Sequence, residues 1–393
     1  MGARDRAGGL AGRRAGGPAL SEAASAGRRP DSLRGAGDPG LSSIRRRTAG
    51  GLLLGDPRPF SDRRRPDGHG GWRYPGLRLA FLAPAVVLGL AGLAGPVAAQ
   101  EQLVAACPSS GPGQVPACVL LAQSAAIAQP RLALAATGGN PLPGSASTLG
   151  MRIAATPRVA VQLRAGGARA TFPRAGGGTG GSVLLGSLDL EGAIGLLRGL
   201  SPAPTVGGVG SLDLVASLGI LQGPGSGFSG SPATGAIGAR LGIMRESFTT
   251  PGVTLSALYR RVGATTLGSV DTGTVRLAHV NDLSLRAAVG KRLMSLGTSA
   301  GLGWDRVSSE ATIRPPTCTS CTLVFTTPVT AGLSQSRVNG FADLTWTSLV
   351  FTATAEVGWQ RGGSPATASP ATGAEDLVRK GALFGSLALR LTI

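Results

Sequence analysis

From residue 131 to its last residue, this 393-residue chain alternates apolar and polar side chains. The alternation is clearest at 387–393 (LALRLTI) and recurs at 158–164, 283–289 and 351–359. A period of two is typical of β-strands whose two faces meet different surroundings. We predict twelve strands, near 131–138, 147–155, 158–170, 182–198, 209–221, 234–246, 252–262, 275–293, 296–307, 335–347, 350–361 and 381–393. A possible short helix at 118–129 precedes them.

The connections between these strands alternate in length. Short ones lie around 156–157, 201–208, 248–251, 294–295 and 348–349, and longer Gly-, Pro- and Thr-rich ones include 222–233, 263–274, 308–334 and 362–380. An even strand number with short turns on one side and long loops on the other is typical of an outer-membrane barrel. The predicted fold is all-β: a transmembrane, antiparallel up-and-down β-barrel of about twelve strands.

One parity of the strands is apolar, and its few basic residues, such as Arg198, Arg245 and Lys291, lie at strand ends, where they can reach water. The other parity carries charge. Lipid outside and polar groups inside satisfy a closed barrel, so we predict that the charged parity faces the lumen. Its members are Arg152, Arg164, Asp189, Glu191, Asp213, Arg240, Glu246, Arg260, Arg286, Asp305, Arg337, Asp343, Glu356 and Arg390.

Four aromatic residues share the lipid parity. Tyr259, Trp304 and Trp359 lie seven to nine residues into three strands that run toward the long loops, and Trp346 lies beside a short turn. Aromatic side chains concentrate at both membrane interfaces, so we predict two sparse girdles.

The residues ahead of the strands resemble an export signal with a leader. Arg73 and Arg78 precede an apolar run at 79–94, and Val97 and Ala99 fit a small-residue cleavage site that would leave Gln100 first. We predict a disordered basic Gly/Arg/Pro-rich extension or a mis-assigned start at 1–75, a signal peptide at 76–99, a periplasmic segment at 100–130 and the barrel at 131–393. The extension has few aromatic residues between its arginines, so no nucleic-acid partner is expected.

Four cysteines follow the predicted cleavage point. An even count in an exported chain favours disulfides, and their spacing suggests two local pairs, Cys107 with Cys118 and Cys318 with Cys321. One CxxC supplies two of the four ligands of a structural metal, so neither a metal nor another cofactor is predicted. His279 is the only imidazole after the signal, and no catalytic residues are assigned.

Three pieces of the chain carry a resemblance: 246–259 (ESFTTPGVTLSALY), 301–305 (GLGWD) and 385–393 (GSLALRLTI). They resemble uncharacterised outer-membrane β-barrel proteins of high-GC Gram-negative bacteria, over about 131–393. The resemblance implies an outer-membrane location, with membrane lipid and the barrel-insertion machinery as partners. Such barrels usually end in Phe, whereas this chain ends in Ile393.

The predicted lumen holds seven arginines and seven acids. A pore selective for one sign of ion would carry an excess of the other sign, whereas balanced charges can pair across the lumen. We therefore expect a narrow, weakly selective, porin-like channel or transporter for small solutes. The alternative is a structural or surface-interaction barrel with a filled lumen, in which the loops 308–334 and 362–380 make the contacts. An enzyme, for example one resembling an outer-membrane lipase, is not expected.

Overall fold

The computed structural model describes residues 98–107, 117–150, 156–173, 179–202, 207–223, 228–269, 273–314, 327–365 and 375–393. Its helices are α1 (Ala98–Ala105), α2 (Ala117–Thr137) and α3 (Glu375–Arg379). Its strands are β1 (Val159–Pro173), β2 (Thr179–Leu197), β3 (Ser211–Gln222), β4 (Phe228–Ser229), β5 (Ala233–Met244), β6 (Gly252–Val262), β7 (Thr265–Ser269), β8 (Gly273–Leu277), β9 (Val280–Leu293), β10 (Leu296–Arg314), β11 (Val329–Ser348), β12 (Phe351–Gln360) and β13 (Ala382–Thr392).

Ten of these strands form a closed antiparallel barrel. Around the ring the order is β1, β2, β3, β5, β6, β9, β10, β11, β12 and β13, and β13 pairs with β1 to close it. The closing register sets Val161 opposite Leu391 and Ala168 opposite Phe384. β8, β7 and β4 continue the sheet outward from the far end of β10. The prediction of an all-β antiparallel barrel is confirmed, but the wall has ten strands and not twelve.

The two missing strands are the first two predicted ones, near 131–138 and 147–155. Residues 131–137 belong to α2, 138–150 follow it without a strand, and 151–155 lie outside the described residues. The alternation of RLALAAT resembles a strand only because its residues are buried on all sides, which removes the one-sided pattern of a surface helix. The predicted helix at 118–129 lies within α2.

The remaining predicted strands agree closely with the wall. The prediction at 252–262 coincides with β6, and the one at 275–293 divides into β8 and β9. β10 and β11 reach seven and six residues further than expected toward the long-loop side.

The wall has an apolar exterior and a polar interior. On β2, Leu188, Leu190 and Ile194 are exposed, while Asp189 and Glu191 between them are buried. Apolar residues are exposed all around the barrel; further examples are Leu218, Ile237, Leu302, Leu344, Val357 and Leu389. A soluble barrel would bury these residues, and a closed wall with this exterior is satisfied only in lipid. The protein is an outer-membrane β-barrel.

The two rims of the barrel differ. Two-residue turns join β9 to β10 and β11 to β12, and turns at 198–210 and 245–251 complete that rim, whereas the three longest connections, at 263–279, 315–328 and 361–381, lie at the opposite end. In outer-membrane barrels the short turns face the periplasm and the longer loops face outward. We call the two ends the short-turn rim and the long-loop rim.

We predict that Leu190→Arg destabilises the barrel by about 2–4 kcal/mol, because Leu190 lies at mid-strand on the lipid face between Leu163 and Leu218. The matched control is Leu200→Arg at the short-turn rim, where the cost should be about 0–1 kcal/mol. Urea unfolding in lipid vesicles measures both, with the fast migration of unheated protein on SDS gels reporting the folded state. Equal costs for the two variants would show that the centre of β2 does not face lipid.

Candidate functional site: the filled lumen

A helix and the segment that follows it occupy the interior of the barrel. α2 packs against β1, β2, β8 and β10, and residues 138–149 continue from its end. We call α2 and residues 138–149 together the plug. Ala126 and Gln129 bond the outer halves of β10 and β11, Gly139 bonds β12 at mid-height, and Leu149 bonds the first residues of β3. The plug therefore runs from the long-loop rim to the short-turn rim.

The structure places the described part of the predicted periplasmic segment 100–130 at the long-loop rim. α1 and the start of α2 pack with Leu277, Ile313 and Leu333, which lie on the long-loop side of the wall. The predicted disulfide between Cys107 and Cys118 is present, on that same side. The predicted pair Cys318 and Cys321 lies outside the described residues, as do residues 1–97.

A side chain of the wall replaces a hydrogen-bond donor that α2 lacks. Pro130 lies inside the helix and has no N–H to give to the carbonyl of Ala126. The side-chain amide of Gln335, from β11, donates to that carbonyl at 2.9 Å. Gln129 donates in turn to Ser309 at 2.9 Å and to the Leu333 carbonyl at 2.8 Å. The helix thus continues past its proline because the wall supplies the missing donor.

Arginines of the wall surround the carboxyl end of α2, which has no basic residue in its own last turn. Arg260 donates to the Ala136 carbonyl. Just beyond the helix, Arg286 donates to the Gly139 carbonyl at 2.9 Å, and Arg164 to that of Asn140 at 3.2 Å. The last carbonyls of a helix are unpaired and carry partial negative charge, so cations stabilise them. Here those cations come from the wall.

Carboxylates of the wall bind the backbone N–H groups of residues 138–149. Glu356 accepts from the amides of Gly139 at 2.9 Å and Asn140 at 2.7 Å. Asp343 accepts from the Gly144 amide at 3.2 Å and from the Ser299 hydroxyl at 2.6 Å. These amides have no secondary-structure partner, and a buried amide without an acceptor would be costly.

The same arrangement holds at the lower end of the plug. Asp213 accepts from the Leu149 amide at 2.9 Å, and Arg240 donates to the Ser145 carbonyl at 2.7 Å. Lumen charges of both signs therefore bind plug backbone at three successive heights.

The wall charges also pair with one another. Each pair links two strands of the wall. The pairs are Arg164 with Glu356 at 2.5 Å and Glu191 at 3.6 Å, Arg240 with Asp213 at 3.6 Å, Arg260 with Asp189 at 3.7 Å, and Arg286 with Asp305 at 2.6 Å.

Most of the predicted lumen residues lie inside. Those with buried side chains are Arg164, Asp189, Glu191, Asp213, Arg240, Arg260, Arg286, Asp305, Arg337, Asp343, Glu356 and Arg390. Arg152 lies outside the described residues. Glu246 departs from its predicted place, because a register irregularity ends β5 at Met244 and leaves Glu246 half-buried in the following turn, where it accepts from the Arg292 amide.

Three of the four predicted girdle aromatics point outward. Tyr259, Trp346 and Trp359 are about half exposed on the lipid face. Trp304 has the same parity but is only 7% exposed, although its neighbours Leu302 and Arg306 are exposed. Its ring therefore packs against the wall.

Sequence reasoning missed one lumen charge and the whole plug. Asp282 is fully buried opposite Arg260, and its parity matches that of Arg286, so the alternation contained the signal. Gln129, Arg131 and Asn140 carried no comparable signal, because their partners lie far away in the chain. Arg131, for example, donates to Gln360 at 2.9 Å across 229 residues.

Apart from the polar contacts of Gln129 and Arg131, the outer half of the lumen is mainly apolar. Around the first turns of α2 the wall presents Leu185, Leu221, Val262, Val280, Val307 and Leu333, all buried. By length and hydropathy α2 could itself cross a membrane, yet 83% of its most apolar window is buried within the protein. The lumen is thus closed by packing near the long-loop rim and by hydrogen bonds below it.

Among the described residues, no group of three His, Cys, Asp or Glu side chains could hold a metal ion. Acids and arginines are instead interleaved around the plug. The site's evident chemistry is the binding of a peptide backbone.

No protein-family model matches the chain, and no curated protein matches it. Among solved structures it is similar to the translocator domain of autotransporter NalP from Neisseria meningitidis, at 14% identity and a TM-score of 0.38, covering 69% of this chain and 96% of that one. It is also similar to the outer membrane protease OmpT from Escherichia coli, at 10% identity and a TM-score of 0.30, covering 63% of this chain and 100% of that one. A third similar structure is the copper transporter OprC, at 14% identity and a TM-score of 0.26, covering 63% of this chain and 43% of that one. At this level the similarities indicate no activity, and the assignment to outer-membrane barrels rests on the closed wall and its apolar exterior.

We predict that Glu356→Gln destabilises the folded barrel by on the order of 3 kcal/mol, because it leaves the buried Arg164 guanidinium without its nearest counter-charge. The same change weakens the hydrogen bonds that the Gly139 and Asn140 amides donate to this side chain. Glu310→Gln on the exposed face of β10 is the control, and we expect it to have no measurable effect. Urea unfolding in vesicles reports both; a Glu356→Gln barrel as stable as the control would show that this contact contributes nothing.

Proposed function

We propose that this protein is a plugged outer-membrane barrel that does not conduct at rest and that presents its N-terminal segment and outer helices at the cell surface as a contact surface. The observation that carries the proposal is the succession of wall charges that bond to plug backbone from Ala136 to Leu149. A wide pore would need those charges to face water. No catalytic role is proposed.

The direction of the plug supports the surface role. Because the long-loop rim faces outward, α1 and the disulfide between Cys107 and Cys118 would lie on the outside of the cell. There they join β7, β8 and α3 in one structure, in which Ile127 of the plug packs against Leu377 and Val378. The described parts of the loops 308–334 and 362–380 belong to the same outer region.

A channel for small solutes is the second candidate. Its support is that every contact of the plug with the wall is non-covalent, and that those below α2 are polar and can be exchanged for water. Movement of residues 138–149 would leave a lumen lined by balanced charges, which favours weak selectivity.

A disulfide across the plug and wall separates the two candidates. A Cβ built on Gly290 of β9 would lie 3.0 Å from the Cβ of Ala146, about half an ångström below the usual range for a disulfide. It would also lie 2.6 Å from the Cβ of Ser299, so the cross-link requires a small local shift of β9. We predict that wild-type protein in planar bilayers shows no steady conductance, and that oxidised Ala146→Cys/Gly290→Cys protein loses any voltage-induced openings. Ala146→Cys alone, with and without reductant, controls for the native disulfide.

A large steady conductance in wild type that the cross-link leaves unchanged would contradict the plugged state. Openings that the cross-link abolishes and reductant restores would favour the channel with a movable plug.

An inserted epitope tests the surface role. Placed in 108–116, between the bonded cysteines, it should bind antibody on intact cells, because α1 and the start of α2, which flank this segment in the sequence, lie at the long-loop rim. The same epitope at Thr249 in the opposite rim is the control, and it should bind only after permeabilisation. Binding of the first epitope only in permeabilised cells would overturn the surface role and leave the conductance result intact.

A further inference from the structure

Three arginines converge where the plug leaves the lumen at the short-turn rim. The Arg158 amide donates to the Gly150 carbonyl at 3.4 Å, and the Arg158 carbonyl accepts from Gly195 at 2.9 Å. A Cβ built on Gly150 would lie 2.4 Å from Nη2 of Arg245 and 3.9 Å from the Cα of Arg198. Gly150 itself has a φ of +63°, so a side chain there would be both strained and in collision with the guanidinium. We call Arg158, Arg198 and Arg245 the rim arginines.

Side-chain carboxylates give the rim arginines little compensation. Asp213, the acid whose charge acts on Arg245, already accepts from Leu149 and pairs with Arg240. The terminal carboxylate of Ile393 lies beside Arg158, since its oxygen accepts from the Val159 amide at 3.1 Å. Nη2 of Arg245 bonds to no carboxylate among the described residues.

One donor of the cluster has no partner. Nη2 of Arg245 is buried and makes no hydrogen bond within the described part of the chain. Burial and the neighbouring Arg158 and Arg198 lower the pKa of the Arg245 guanidinium below its ordinary value. A buried charged donor without an acceptor is costly, so this position favours an anion.

Exposed apolar residues sit at all four turns of the same rim. Leu200 is 75% exposed, Phe248 93%, Met294 99% and Leu349 96%. Met294 and Leu349 also have positive φ values of 55° and 53°, a region in which bulky residues are strained. Water-exposed apolar tips are unfavourable in the periplasm, but they are favourable within the interfacial layer of the bilayer. The short-turn rim is therefore level with the headgroups of the inner leaflet.

We propose that the rim arginines bind the phosphate of an anionic phospholipid of the inner leaflet, with the apolar turns beside it in the acyl chains. Guanidinium groups bind phosphate oxygens through paired charge-assisted hydrogen bonds, and Arg158 and Arg198 are exposed to reach them. A lipid is favoured over free phosphate because the site lies beside the lipid face and its apolar turns.

The test uses full-length barrel in a zwitterionic detergent, with dihexanoyl phosphatidylglycerol, dihexanoyl phosphatidylcholine and inorganic phosphate as separate probes. Native mass spectrometry counts bound lipid, and the temperature at which the unheated gel form is lost reports stabilisation. We expect phosphatidylglycerol to bind and stabilise, and each arginine removed to weaken its binding about fivefold. The variants are Arg245→Gln alone and Arg158→Gln/Arg198→Gln/Arg245→Gln.

The matched control is Arg261→Gln/Arg306→Gln, which should leave phosphatidylglycerol binding unchanged. It removes two exposed arginines far from the short-turn rim, one near the last residue of β6 and one past the middle of β10. Equal binding of the two lipids by wild-type protein, which needs no variant to fold, would overturn the proposal. So would unchanged phosphatidylglycerol binding in Arg245→Gln. Inorganic phosphate binding as tightly as phosphatidylglycerol would show a site for a soluble anion and overturn the lipid assignment.

Discussion

Buried charge in a closed wall is the constraint on which the rest of this structure depends. A ten-stranded barrel in lipid must turn its charged side chains inward, and there they meet little water and need partners. The neighbouring strands supply some, as in Arg286 with Asp305 at 2.6 Å. The plug backbone supplies others, because residues 138–149 carry amides and carbonyls with no secondary-structure partners of their own. Wall and plug thus satisfy each other, and removal of either leaves buried polar groups unpaired.

The lumen is closed in two different ways along its length. Near the long-loop rim α2 packs among leucines and valines of the wall, an arrangement that resembles the core of a soluble protein. Below Thr137 the filling is polar, and Glu356, Asp343 and Asp213 hold successive amides. Apolar packing opens only by exposing that surface to water, whereas the polar contacts can be exchanged for water. For the channel candidate, movement of the plug would therefore begin in the short-turn half.

The strands of the wall were predictable from the sequence, and the plug was not. A strand of the wall has lipid on one face and the lumen on the other, so its residues alternate between apolar and polar. This local alternation is enough to predict β6 and the inward-facing charges. The plug is buried on every side, which leaves α2 without a polar face, and Pro130 suggested a helix end where Gln335 lets the helix continue. Glu246 was misplaced because strand ends depend on register irregularities such as that at Met244. Arg198 and Arg245 appeared in the sequence as strand-end exceptions, and only the fold brings them together with Arg158 around Gly150.

The central claim is that wall carboxylates hold the plug backbone, and hydrogen exchange of the plug amides tests it most directly. Exchange followed by mass spectrometry on folded barrel, with peptides covering 138–149, compares these amides with those of β6 and of the long-loop connections. The account predicts that Gly139, Asn140, Gly144 and Leu149 are protected at a level approaching that of β6, since each donates to a buried carboxylate. Exchange of 138–149 as fast as that of the long-loop connections would contradict it, because the lumen would then be filled by water and not by the plug.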